Sequence, residues 1–190
     1  EKKFAGEGGH YCGLCDGHMY QDKVIAVMGG GNAAVDAANF LSKYASKLYL
    51  IHRSDFRADE ISQKRLKENP KAEIFLQTEI KSLQGDGRLE SIEVLDKVTG
   101  EISSLSVDGI FVNIGVVPNT ELYKEELPLT PGGRIEAGED CRTAIPGVFA
   151  AGDVREKEIR QLTTAAADGT AAALLAEKYL VKLKEGNPVW

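Results

Sequence analysis

The chain has 190 residues, of which 43% are apolar and 27% charged; 29 acidic residues outweigh 23 basic ones, giving a net charge of −6. This ordinary globular composition excludes wholesale disorder and collagen-like fibres, and the negative balance argues against a general binder of nucleic acid or of anionic membrane. No apolar run approaches the roughly 18 residues that a membrane helix needs. Residues 1–10 lack the apolar core of a secretion signal, so a cytoplasmic chain is expected. The chain starts at Glu1, not Met, as a processed chain or an excised piece of a longer one does.

In chain order, Cys12-Gly13-Leu14-Cys15 comes first. Val24–Met28 is an apolar run with the length and composition of a strand buried on both faces. Gly29-Gly30-Gly31 breaks it, and a helix is expected from Asn32, with Ala34, Ala38, Leu41 and Ala45 on one face. Leu48–Ile51 is a second buried strand, which completes a β-α-β unit and implies a parallel sheet. Asp59–Glu68 reads as a helix stopped near Pro70. From Ile74 the pattern becomes short and alternating: Ile74–Leu76, Leu89–Leu95 and Ile102–Val107, split by Gly85-Asp86-Gly87 and Thr99-Gly100, read as antiparallel strands. Ile110–Ile114 is a further buried strand. Turn chemistry then dominates 116–147, the natural place for a hinge or domain boundary. Val148–Ala151 reads as a short strand before Gly152-Asp153, and an alanine-rich helix is expected from about Arg160 to Lys182.

Gly29-Gly30-Gly31-Asn32-Ala33-Ala34 fits G-x-G-x-x-A between a strand and a helix. The first glycine permits the tight turn, the second lets backbone approach a pyrophosphate, and Ala34 keeps helix and strand close. Helix N–H groups and the positive end of the helix dipole then face the phosphates. A glycine turn without ligand is the plainer alternative. In an NAD site an acidic residue about 20 residues on holds the ribose 2′-hydroxyl. Here the second strand ends in His52-Arg53-Ser54-Asp55-Phe56-Arg57, a basic tip that suits a 2′-phosphate and favours NADPH. Asp55 is the competing ribose ligand, and Arg53 and Arg57 on a solvated surface are the plainer alternative.

Three readings compete for Cys12 and Cys15. A thioredoxin fold wants an apolar strand just before the pair, which Gly6–Tyr11 does not supply. A zinc knuckle takes His10, Cys12, Cys15 and His18, a set more compact than structural zinc spacings. A reversible dithiol/disulfide needs a bridgeable pair, a reactive thiolate and a proton source, which Asp16 supplies. Cys141, in the turn-rich stretch, reads as an inert structural thiol.

Taken in order, Cys12-Gly-Leu-Cys15-Asp16-Gly17, the glycine loop, His52-Arg53, Gly115-Val-Val-Pro118-Asn119-Thr120, Val148-Phe-Ala-Ala-Gly152-Asp153-Val154 and Arg160-Gln161-Leu162 closely resemble the low-molecular-weight thioredoxin reductases over nearly the whole chain. The peroxiredoxin-reducing flavoproteins are similar more loosely. The resemblance implies an FAD enzyme that passes hydride from NADPH to flavin and electrons on to the cysteine pair. Cys15 is then the sulfur nearer the flavin, Cys12 the one that attacks the partner, and Asp16 the acid. It implies that Ile114 and Gly115 join Gly29–Ala34, His52, Arg53 and Arg57 in holding NADPH. Gly152, Asp153, Arg160, Gln161 and Leu162 are implied to touch FAD. It further implies thioredoxin or a similar small dithiol protein as partner, a homodimer when full length, and a cysteine domain that rotates on hinges near 5–9 and 116–122.

Two departures stand out. Ser54 stands where the family's basic motif has a second arginine, and the loop is one residue shorter. Only one strand-linked glycine loop is present, so the cradle for the ADP half of FAD is missing and the chain is expected to be the C-terminal part of a longer reductase, inactive by itself. The expected fold is α/β: a Rossmann-like parallel sheet with an antiparallel β-meander over residues 1–120, then the C-terminal piece of an FAD-binding domain over 121–190. The alternatives are an NADH-dependent peroxiredoxin reductase and a nucleotide-binding module with a Cys/His zinc site.

Overall fold

A computed structural model describes residues 2–187 and 190. It divides into two units, Glu1–Gly115 and Val116–Trp190, so the division falls at Gly115, ahead of the boundary expected at 120.

In the first unit, β1 (Gly9–His10) leads into a single helical turn, α1 (Gly13–Asp16), and a 3₁₀ turn over Gly17–Tyr20. Then come β2 (Val24–Met28), α2 (Asn32–Leu41), β3 (Lys47–Ile51), α3 (Glu60–Lys67) and β4 (Ala72–Phe75). β5 (Thr78–Gln84), β6 (Ser91–Asp96) and β7 (Ile102–Ser106) precede β8 (Gly109–Val112). A five-stranded sheet has the order β1-β8-β2-β3-β4 with every pairing parallel, and β5-β6-β7 form a separate antiparallel sheet.

β2 explains its own composition. Ile25 and Val27 pack into the core under α2 and α3, with Leu41, Leu48 and Leu66. Ala26 points the other way, into a second core that β6 closes with Ile92 and Val94. A strand covered on both faces reads as a continuous apolar run. α2 buries Ala34, Val35, Ala38 and Leu41 completely, and full burial of a leucine contributes about 1.5–3 kcal/mol. α3 starts at Asp59, whose carboxylate accepts from the Ser62 N–H at 2.8 Å.

Two expectations are corrected. Ile74-Phe75 belongs to β4, parallel to β3 and not antiparallel, because α3 carries the chain back to the same end of the sheet before β4 begins. Val148–Ala151 makes only an isolated bridge, Arg142 to Phe149. Four apolar residues have a strand's composition, but here no neighbouring segment offers a longer ladder.

The second unit is built around a small apolar cluster of Leu127, Ile135 and Ala150, and α4 (Leu162–Lys184). Only Asp168 of α4 is fully buried. It accepts from Arg155 through both carboxylate oxygens, at 2.8 and 2.9 Å, from Lys157 at 2.8 Å and from the Gly152 N–H at 2.9 Å.

Candidate redox and nucleotide site

β2 delivers the chain to Gly29, whose N–H donates to the Ile51 carbonyl at 3.0 Å. Gly29 has φ +143°, and a Cβ there would lie 2.3 Å from the Asn113 carbonyl oxygen, so only glycine fits. Gly31 caps the N-terminus of α2 without a side-chain cap, and nothing lies within 4 Å of where its Cβ would be. The helix start therefore opens onto free space, with its N–H groups and dipole aimed there.

That space is a cavity of about 630 Å³. Gly29, Gly30, Gly31, Asn32, Ala33, Ala34, His52, Arg53, Arg57, Ile114 and Gly115 all line it, so the eleven residues expected at a nucleotide site are brought together. The basic loop is tied to the glycine loop: the Arg57 N–H donates to Gly30 O and the Asp59 N–H to Asn32 Oδ1, both at 2.8 Å. His52 is buried, and burial together with Arg57 and Arg53 lowers its pKa. Ser54, at the departure from the family motif, bonds His52 Nε2 at 3.1 Å. Asp55 accepts from the Gln77 amide at 3.1 Å. The cavity also takes in Met28, Ile51, Thr78, Glu79, Ile80 and Asn113. Met28, Ile51 and Asn113 were findable as C-terminal ends of parallel strands, where ligands of such sheets lie. Thr78–Ile80 carried no signal, since they come from the other sheet.

Cys12 and Cys15 are joined in a disulfide, with their Cα atoms 5.3 Å apart. α1 sets the geometry. Cys12 is its N-cap, and Cys12 Sγ accepts from the Cys15 N–H at 3.1 Å. Cys15 is exposed and Cys12 half-buried. Asp16, half-buried, pairs with His10 Nδ1 at 3.1 Å. His10 is thereby engaged away from the sulfurs, and His18 is exposed. Among the described residues no group of three or more His, Cys, Asp or Glu is arranged to hold a metal ion.

In the second unit Gly152 is buried at φ +80° and Asp153 is exposed. Gln161 caps α4 reciprocally with Thr164, and Leu162 is 86% exposed. Arg160 pairs with Glu156 at 3.5 Å, while its Nε is buried without a hydrogen-bond partner. Cys141 is a free, fully buried thiol whose Sγ donates to the Asp168 carbonyl at 3.4 Å; burial pushes its pKa up. It lacks the thiolate character of a reactive cysteine.

A glycine-loop cavity at the ends of parallel strands, and a bridged cysteine pair in the same unit, place the chain in the class of nucleotide-linked disulfide oxidoreductases. A family model described as pyridine nucleotide-disulphide oxidoreductase matches residues 1–169, and the chain belongs to that family. It is 48% identical over 181 residues to a 34.2 kDa protein in the rubredoxin operon of Clostridium pasteurianum, covering 95% of this chain and 59% of that one. It is 44% identical to a thioredoxin reductase of Schizosaccharomyces pombe, covering 92% and 56%. The crystal structure of thioredoxin reductase from Streptococcus pyogenes matches with a TM-score of 0.90 at 33% identity, over 95% of this chain and 60% of that one. The thioredoxin reductase of Giardia duodenalis matches with a TM-score of 0.84 at 32% identity, over 95% and 60%. The chain thus spans about 60% of the length of the relatives it matches.

Proposed function

We propose that this chain carries the NADPH-binding and disulfide-exchange parts of a thioredoxin-disulfide reductase of the FAD-dependent kind. The observation that carries the reading is the bridged Cys12–Cys15 pair in the same unit as the glycine-loop cavity.

NADPH fits the residues present. The glycine loop and the start of α2 hold the pyrophosphate, and Arg53 and Arg57 take the 2′-phosphate. Asp55 is engaged by Gln77, which favours the phosphate over a free ribose hydroxyl. FAD fits in part. Gly152, Asp153, Arg160, Gln161 and Leu162 suit the flavin end, where the orphaned Arg160 Nε offers a donor and exposed Leu162 offers apolar surface. No strand lies among the described residues of the second unit, so none of its glycine turns stands at a strand end for the ADP half. When bound, the flavin supplies the link between hydride chemistry on the nucleotide and two-electron reduction of the disulfide.

The chain's own residues do the rest. Two electrons and one proton convert the Cys12–Cys15 bridge to a thiol and a thiolate. The Cys15 N–H, aimed at Cys12 Sγ, favours the charge on Cys12. The Cys12 thiolate then attacks one sulfur of a partner disulfide, and the partner's other sulfur leaves with the bond's electron pair and takes a proton from Asp16. Cys15 then attacks Cys12 Sγ in the mixed disulfide and re-forms the bridge, while the partner's second sulfur leaves with the bond's electron pair and takes up the proton that Cys15 gives. Thioredoxin or a similar small dithiol protein is the acceptor, in a cytoplasmic setting, and the full-length protein is a homodimer.

The test joins this chain to the N-terminal segment of its Clostridium relative and follows NADPH oxidation. Oxidation that depends on added oxidised thioredoxin, and that Cys12→Ser abolishes, is the expected result. Oxidation indifferent to thioredoxin refutes the acceptor. NADH serving as well as NADPH refutes the nucleotide assignment and turns the reading to an NADH-dependent peroxiredoxin-type reductase.

A further inference from the structure

His10 does more than flank the cysteines. Its ring is buried, stacked on Phe111 with centroids 5.3 Å apart, and hydrogen-bonded at both nitrogens. Nδ1 lies 3.1 Å from Asp16 Oδ2, and Nε2 lies 2.6 Å from the Tyr20 hydroxyl. In the tautomer that turns Nδ1–H toward the Asp16 carboxylate, Nε2 accepts from the Tyr20 hydroxyl. Tyr20 is pinned against β8, where a Cβ on Gly109 would lie 2.3 Å from its ring. Burial and the charges of Asp16, Asp108 and Glu7 raise the Tyr20 pKa, so at rest the hydroxyl is protonated.

His10 and Tyr20 also border a second cavity, of about 430 Å³, that the disulfide chemistry does not use. Its charged lining residues are Glu7, Lys23, Arg88, Glu90 and Asp108. A continuous hydrogen-bonded chain therefore runs from that polar, solvent-accessible space through Tyr20 and His10 to the carboxyl beside Cys15.

We propose that His10 and Tyr20 form a proton relay that reloads Asp16 from the second cavity during disulfide exchange. This rests on the disulfide-exchange reading of Cys12, Cys15 and Asp16. The Asp16 carboxylate takes the Nδ1 proton of His10 and hands it to the leaving sulfur. Nε2 takes the hydroxyl proton of Tyr20, and Tyr20 recovers one from water in the cavity. The net transfer is one solvent proton to the departing thiolate. His10 and Tyr20 act through Asp16 and are positioning residues.

The test uses the full 190-residue chain, reduced with dithiothreitol, freed of reductant and mixed with two disulfides. Oxidised glutathione releases a thiolate that needs a proton; dithiobis(nitrobenzoate) releases an aryl thiolate that does not. His10→Gln keeps hydrogen bonding but cannot pass a proton along, and Tyr20→Phe keeps the ring. Both variants should slow the glutathione reaction roughly tenfold, short of the roughly hundredfold or more lost when a general acid is removed outright, and leave the aryl reaction unchanged. Equal slowing with both disulfides, the mark of a merely structural role, overturns the relay, as does no slowing with either. A native chain that reacts with neither disulfide overturns the exchange reading itself, and the relay with it.

Discussion

Gly30 lies so close to the His52 ring that a Cβ on it would stand 2.1 Å from Cδ2. The basic tip of β3 is thus packed directly on the loop that faces the cavity, and the two segments cannot move independently. Gly30→Ala should displace His52, costing about 1–3 kcal/mol of stability as overpacking does. It should also weaken NADPH binding about tenfold or more, a change of about 1.4 kcal/mol. Thermal melting and calorimetric titration of the purified chain check both.

Arg53 and Arg57 line the same cavity. A hydrogen bond to a charged group contributes about 1.5–3 kcal/mol net, so removing either arginine should cut the preference for NADPH over NADH roughly tenfold to a hundredfold. Paired titrations of Arg53→Ala and Arg57→Ala with the two nucleotides read this directly. Unchanged affinity for NADPH would place the 2′-phosphate elsewhere.

The pKa of His52 is lowered by burial, Arg57 and Arg53, so it titrates below the ordinary value of about 6.5. The unfolded chain takes the proton first, so this group subtracts stability as pH falls beneath about 6.5. Added NADPH should raise the His52 titration midpoint, because the 2′-phosphate offsets the two arginines, and NADH should not. Proton NMR of the imidazole follows both.

Asp168 is held well below the usual carboxylate range, chiefly by Arg155, then by Lys157 and the Gly152 N–H. A depressed carboxylate contributes stability that is full above its unfolded pKa of about 3.9 and is lost as pH falls through the folded value. Denaturant unfolding should show that loss below about pH 4. Asp168→Asn leaves buried Arg155 with only the exposed Glu139 carboxylate, 3.2 Å away, as counter-charge and should cost about 3 kcal/mol at neutral pH. The Asp168→Asn chain should have lost the part of the acid sensitivity that Asp168 contributes.

The parallel half of the fold was legible because physics writes it in short range. A strand buried on both faces must be apolar throughout, as Val24–Met28 is, and a helix that buries one face must repeat near 3.6 residues, as Ala34, Ala38 and Leu41 do. Direction is not written that way. Ile74-Phe75 has the same local pattern whichever way its partner runs, so the pattern alone does not tell parallel β4 from an antiparallel strand. β5 carries no apolar run to mark it: it opens at polar Thr78, directly after Gln77 at φ +53°. The glycine loop and basic tip could be placed by spacing, whereas Thr78–Ile80 reach the cavity only through tertiary folding. His10 reads as a metal ligand because it neighbours the cysteines in sequence; its contacts with Tyr20 and Phe111 lie 10 and 101 positions away and leave no sequence mark.

The central claim is that the Cys12–Cys15 bridge opens and re-forms while a protein disulfide is reduced. Alkylation under denaturing conditions, followed by intact-mass measurement, counts the thiols. The chain as isolated should carry one adduct, on Cys141, and three after reduction. Reduced chain, freed of reductant and exposed to oxidised thioredoxin, should return to one adduct while thioredoxin gains two. A count that stays at three, with thioredoxin still oxidised, or two sulfurs held by zinc after reduction, would contradict the account.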